Sequence, residues 1–170
     1  EIVFVLPNNK NIILAAEQTV ALTEKRVIVL PTRTIPEGVT AMLSFDPEET
    51  PERNQELMTS GLPNVRTGHI TYAARDSVFD DVNIKEGDYL ALLGGKLCDT
   101  DSSLQAVSEK LADGLNLAEA EFVTVFYGAD ASPEDRETVS KILTQKAGKR
   151  TEFNFLDGGQ PVYYFIIGVE

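Results

Sequence analysis

The chain has 170 residues, 42% hydrophobic and 25% charged, enough for one globular domain or two small joined lobes with a sizeable core. Its 15 Lys and Arg stand against 27 Asp and Glu, and the resulting net charge of −12 disfavours nucleic acid and anionic lipid surfaces as partners. No apolar run approaches the roughly 18 to 20 residues of a membrane span.

Residues 2–6 are a continuous apolar run, as expected of a strand covered on both faces. Ile13, Ala16 and Val20 then recur at helical spacing, with Asn9 or Asn11 available to cap that helix. Residues 27–30 form a second apolar strand, so the opening reads as a βαβ unit with parallel pairing. Pro36 suits the first turn of a helix reaching about residue 45, with Ile35, Val39, Met42 and Leu43 as its apolar stripe. Pro51 starts another helix, which Gly61 stops. Residues 65–73 alternate as a strand, placing His69 and Thr71 on one face and Ile70 and Tyr72 on the other.

Beyond residue 77 the turns are tighter. Gly94 and Gly95 can take the positive φ of a hairpin between strands 89–93 and 96–98. Residues 103–114 are a helix with Leu104, Val107, Leu111 and Leu115 as its core stripe. Residues 122–127 are a buried strand. The helix that follows has Ser132 as cap, Pro133 at its first position and acids in its first turn. Strands 151–156 and 162–169 flank the sequence DGGQP, whose Gly158 and Gly159 read as a hairpin turn. This order predicts an α/β fold with a mostly parallel sheet flanked by helices and antiparallel hairpin additions. It is one domain, with two lobes, 1–76 and 88–170, as an option.

In an open α/β sheet, ligands sit beyond the carboxyl ends of the strands. Asn8, Asn9, Lys10 and Asn11 follow the first strand; Thr32, Arg33 and Thr34 follow the second. Parallel pairing brings both loops to one sheet edge, and these seven residues are the candidate partner- or ligand-binding set. Their types also suit plain capping, turns and solvated charge, so both readings stand. His69 is the only histidine and has no cysteine or second histidine to share a metal, so it reads as a satisfied structural side chain. Cys98 is the only cysteine, which rules out an internal disulfide and fits a reducing cytoplasm. Asp99 and Asp101 beside it oppose a reactive thiolate. Asp76, Asp80 and Asp81 lack the spacing of an EF-hand and read as a solvated acidic turn. No phosphate-binding glycine loop or nucleophile elbow occurs, and no complete catalytic or metal centre is visible.

Four stretches resemble a known family: VLPNNKNIILAAEQ, VIVLPTRTIPEGVTAMLSFDP, VRTGHITYAARDS and the tail GGQPVYYFIIGVE. In this order they are similar to the carboxyl-terminal region of bacterial DAK2-domain proteins. Those are the ATP-binding subunits of fatty acid kinase, once grouped with dihydroxyacetone kinases. The resemblance implies a DegV-like fold and a piece of a larger kinase subunit, as the absent initiator Met also suggests. It implies that the kinase subunit phosphorylates a fatty acid held by a separate DegV-type carrier, yielding acyl phosphate for phospholipid synthesis. This domain would dock that carrier without turnover or cofactor of its own, in the cytoplasm. ATP and magnesium would belong to the subunit's amino-terminal kinase domain, a second partner. The residues alone keep two alternatives open: a small-ligand or nucleotide module with an anion site at the strand-end loops, and a dimerisation module.

Overall fold

The structure, a computed structural model, describes residues 1–79 and 82–170. They form two compact units, Glu1–Val65 and Arg66–Glu170. The division expected between residues 77 and 88 thus falls earlier. The reason is strand β3 (Arg66–Tyr72), whose ladder hydrogen bonds all go to strands of the second unit.

In the first unit, β1 (Ile2–Val5) and β2 (Arg26–Val29) pair in parallel, from Ile2 opposite Arg26 to Val5 opposite Val29. Helix α1 (Ile13–Thr19) connects them, as a parallel pair requires. Its cap position is Ile12 and no side chain caps it, so neither Asn9 nor Asn11 does so. Asn9 instead accepts the Asn11 N–H at 2.9 Å, a turn closed within the loop. Helices α2 (Ile35–Leu43) and α3 (Pro51–Ser60) begin alike. Thr34 and Thr50 accept the N–H groups of Glu37 and Arg53 at 3.3 and 3.2 Å, satisfying donors that a helix start leaves free. The core joins Ile28 and Leu30 to Ala41, Met58 and Leu62, with Phe4 and Leu6 against it.

Helix α2 lies the other way up from expectation. Its small residues Pro36, Gly38 and Ala41 are buried, and its bulky stripe, Ile35, Val39, Met42 and Leu43, faces out. Small side chains allow the helix axis close to the strands, which leaves the large ones on the far side. Buried Asn54 secures the following loop, accepting the Asp46 N–H at 2.8 Å and donating to the Asp46 carbonyl at 2.7 Å.

The second unit adds β4 (Ser77–Phe79), β5 (Val82–Ile84), β6 (Tyr89–Leu93), β7 (Lys96–Asp101), α4 (Leu104–Gly114), β8 (Phe122–Tyr127), α5 (Pro133–Lys146), β9 (Glu152–Asp157) and β10 (Phe165–Val169). Six strands form one sheet in the order β7-β6-β3-β10-β8-β9. The α/β class with flanking helices holds, but mostly parallel pairing does not. Within this sheet only β8 and β9 run parallel, and the other neighbours are antiparallel. Parallel neighbours need a crossover, and both parallel pairs among the described residues enclose one helix, α1 or α5. The tail instead returns as β10 between β3 and β8, antiparallel to both.

One face of this sheet, with Ile70, Val123, Val125, Phe165, Ile167 and Val169, packs under α4 and α5. Gly68 lets α4 approach: a Cβ there would lie 3.0 Å from Leu115 and 3.1 Å from Leu111. Gly94 and Gly95 turn the β6–β7 hairpin with φ of 56° and 81°. Asp80 and Asp81 lie outside the described residues; Asp76 accepts the Glu86 N–H at 2.7 Å.

Gly158 and Gly159 do not turn a hairpin, since β9 and β10 are not neighbours. They open a strap over residues 158–164. Both of their N–H groups donate to the Tyr127 carbonyl, and Gln160 donates to the Phe126 carbonyl at 3.0 Å. At its centre Val162 has φ of 72°, and the Tyr163 N–H reaches back to the Pro161 carbonyl at 2.8 Å. That is a γ-turn of the strained hand, carried by a β-branched residue that avoids positive φ. Thr71 locks it, donating to the Val162 carbonyl at 2.7 Å. Gly128 makes room, because a Cβ there would meet the Tyr163 carbonyl at 2.1 Å. In chemical denaturation, Val162→Gly is expected to hold stability level or raise it by up to about 1 kcal/mol, as strain is relieved. Gly128→Ala is expected to lower it by about 1–3 kcal/mol. The opposite ranking would contradict a strained strap.

Candidate functional site

The parallel pairing of β1 and β2 gathers the loops 7–11 and 31–34 at one edge of the first unit. The Asn8 N–H donates to the Thr32 hydroxyl at 3.1 Å and ties them together. Thr32 is fully buried and serves this contact. Thr34 caps α2, and Asn9 closes its local turn. These three act structurally.

Lys10, Asn11 and Arg33 are left to face a ligand or partner, and Asn8 packs inward. Asn8 adopts φ of 54°, in the left-handed region that asparagine tolerates. Its side chain rests on Gly38 of α2, where a Cβ would come within 2.2 Å of its Oδ1. That buried Oδ1 has no hydrogen-bond partner among the described residues. Lys10, Asn11 and Arg33 are exposed. Neither cation forms an ion pair among the described residues, although the chain carries 27 acids. The Arg33 backbone N–H is held by the Glu37 carboxylate.

The same edge continues into an open groove of about 370 Å³, lined by Leu6, Asn8, Ile35, Val39, Met42 and Leu43. Its wall is the outward stripe of α2, with Met42 55% and Leu43 81% exposed. Sequence reasoning found the polar rim but assigned this stripe to the core. The missed signal was that α2 is apolar on both faces, which hides the direction of the core.

His69 lies on the opposite face of β3 from Ile70. It was expected to be a satisfied structural side chain, yet its buried Nδ1 has no partner among the described residues. Its ring packs on Tyr163 of the strap at 4.9 Å. Burial pushes the imidazole down to about 4, so it is neutral near pH 7. At Cys98, desolvation first and then the Asp99 carboxylate raise the thiol, away from a reactive thiolate. Among the described residues no group of His, Cys, Asp or Glu is placed to hold a metal. No helix is long and apolar enough to cross a membrane, again among the described residues.

A family model for the C-terminal part of FakA-like fatty acid kinase subunits matches residues 1–170. Protein YloV of Bacillus subtilis strain 168 is 35% identical over 168 residues, covering 99% of this chain and 30% of YloV. The chain therefore spans under a third of that curated relative. A DegV family protein from Corynebacterium glutamicum superposes with a TM-score of 0.62 at 14% identity, over 92% of this chain and 67% of that one. A Thermotoga maritima protein, whose structure is described as revealing fatty acid binding, gives 0.64 at 11% identity, over 99% and 68%. The fold is DegV-like.

The His69 environment predicts a pH dependence. An unfolded histidine titrates near 6.5 and the folded one near 4, so below pH 6.5 the unfolded chain binds the extra proton. The associated stability is complete above pH ~6.5 and is lost as pH falls through 4, about 3 kcal/mol in all. In urea titrations, His69→Gln should lose about that much less stability than the wild type between pH 7 and 4. Parallel pH profiles would contradict it.

Proposed function

The chain belongs to the FakA-like C-terminal family of fatty acid kinase subunits, and from that premise we propose that it docks the acyl carrier in a two-component fatty acid kinase. The observation that carries this is the family match over the whole chain, residues 1–170. The reaction would move the γ-phosphate of ATP onto a fatty acid carboxylate, giving acyl phosphate and ADP, and the acyl phosphate would enter phospholipid synthesis. The fatty acid would arrive on a DegV-type binding protein in the cytoplasm.

The sequence has no phosphate-binding glycine loop, and the described residues hold no carboxylate cluster suited to a metal. On this reading ATP and magnesium bind the amino-terminal kinase domain, and this chain contributes position. Phosphoryl transfer depends on such alignment of donor and acceptor, and misplacing them costs rate steeply.

The docking contact is assigned to the rim that sequence reasoning selected. Asn8, Asn9 and Thr32 shape the two loops, Thr34 starts α2, and Lys10, Asn11 and Arg33 reach outward. Two cations without ion pairs among the described residues, on an acidic chain, favour a carrier face that offers carboxylates there, and they confer salt dependence. The alternative of an anion-binding module draws on the same two cations, Lys10 and Arg33.

Calorimetric titration of this chain with a fatty-acid-loaded DegV-type carrier tests the proposal. A saturable complex is expected, weakened at least about tenfold by Lys10→Ala combined with Arg33→Ala, and weakened by salt. Absence of a complex would refute docking. A thermal shift with free fatty acid or nucleotide, and none with carrier, would favour the small-ligand reading instead.

A further inference from the structure

We propose that the outward face of α2 is a self-association surface, which pairs antiparallel with α2 of a second copy about a two-fold axis near Val39. This goes beyond carrier docking and stands without it.

The first ground is the helix itself. Ile35, Val39, Met42 and Leu43 are exposed while Pro36, Gly38 and Ala41 are buried, so α2 is apolar on both sides. Glu37 and Thr40 are its only polar side chains, and they leave two apolar faces of which the structure covers one. Contiguous bulky side chains bordering an open groove mark an interaction face, unlike scattered surface apolar residues.

The second ground is charge, which selects the occupant. Lys10 and Arg33 lie at the amino end of α2 and outnumber the one acid of its first turn, Glu37, whose carboxylate accepts the Arg33 backbone N–H; neither cation forms an ion pair among the described residues. Asp46, Glu48 and Glu49 follow within six residues of Leu43 at its carboxyl end, all exposed, and these too lack ion pairs among the described residues. The helix dipole adds positive character at the first end and negative at the second. A face cationic at one end, apolar in the middle and anionic at the other is complementary to its own copy turned end for end. That is the requirement of an isologous two-fold interface.

The geometry follows. A nine-residue helix is about 13 Å long. With the axis at Val39, Ile35 meets the partner's Leu43, Val39 meets the partner's Val39, and Lys10 and Arg33 face the partner's Glu48 and Glu49. Such an interface falls at or below the small end of specific interfaces, so the dimer should be weak and transient. Because Lys10 and Arg33 also belong to the docking rim, a bound carrier would compete with the second copy for them.

Sedimentation equilibrium of the 170-residue chain over a micromolar concentration series provides the test. Wild type should show a reversible monomer–dimer equilibrium that weakens with salt. Lys10→Glu with Arg33→Glu makes both ends acidic; Glu48→Lys with Glu49→Lys makes both ends basic. Each variant alone should self-associate at least about tenfold more weakly. Mixed in equal amounts, they should recover a heterodimer, since each end then meets its opposite. That recovery also shows that both variants are folded. A wild type monomeric throughout, variants that dimerise as wild type does, or a mixture that stays monomeric would each overturn the proposal.

Discussion

A parallel strand pair has both carboxyl ends at the same edge, and the first unit is organised around that constraint. β1 and β2 pair in register over four residues, so the chain leaves both strands on one side and must turn twice there. The hydrogen bond from the Asn8 N–H to the buried Thr32 hydroxyl fastens the two turns. Thr34 then starts α2, and the Asn8 side chain presses on Gly38. The rim and the helix beside it are consequently held together. Lys10 and Arg33 project from a fixed base, though their own side chains are free of ion pairs among the described residues.

Much of the secondary structure was legible because it is locally encoded. Ser132, Pro133 and Asp135 make a capping box with reciprocal bonds, and four helically spaced residues, Leu104, Val107, Leu111 and Leu115, are all buried as their periodicity indicates. The Gly94 and Gly95 turn follows from positive φ. Strand direction was not legible, because an apolar run such as FIIGV reads the same whether its neighbours run with it or against it. The orientation of α2 was hidden by its two apolar faces. The strap escaped notice because a γ-turn at Val162 has no residue signature of its own; only its supports, Gly128 and Gln160, are visible, and they are far apart in the chain. In the candidate site, the meeting of the two loops was legible from the βαβ pattern. Which of the seven residues are consumed by capping was not, since threonine and asparagine serve caps and ligands with the same atoms.

Electrostatics and packing together give the first unit its character. A net charge of −12 keeps the chain apart from other acidic surfaces, except where Lys10 and Arg33 locally reverse the sign. Next to that reversal lies the exposed stripe of α2. Carboxylates on a partner and an apolar contact beside them are therefore accommodated within one small area. In the second unit, by contrast, the exposed strap is held over the sheet by bonds from Thr71 and Gln160, and the neutral His69 ring is packed beneath Tyr163.

Hydrogen–deuterium exchange on this chain, with and without a fatty-acid-loaded DegV-type carrier, tests the docking claim most directly. Carrier docking at the rim predicts added protection in residues 7–11 and 31–34, with the second unit's β10 unchanged. Protection confined to other segments, or none at saturating carrier, would contradict it.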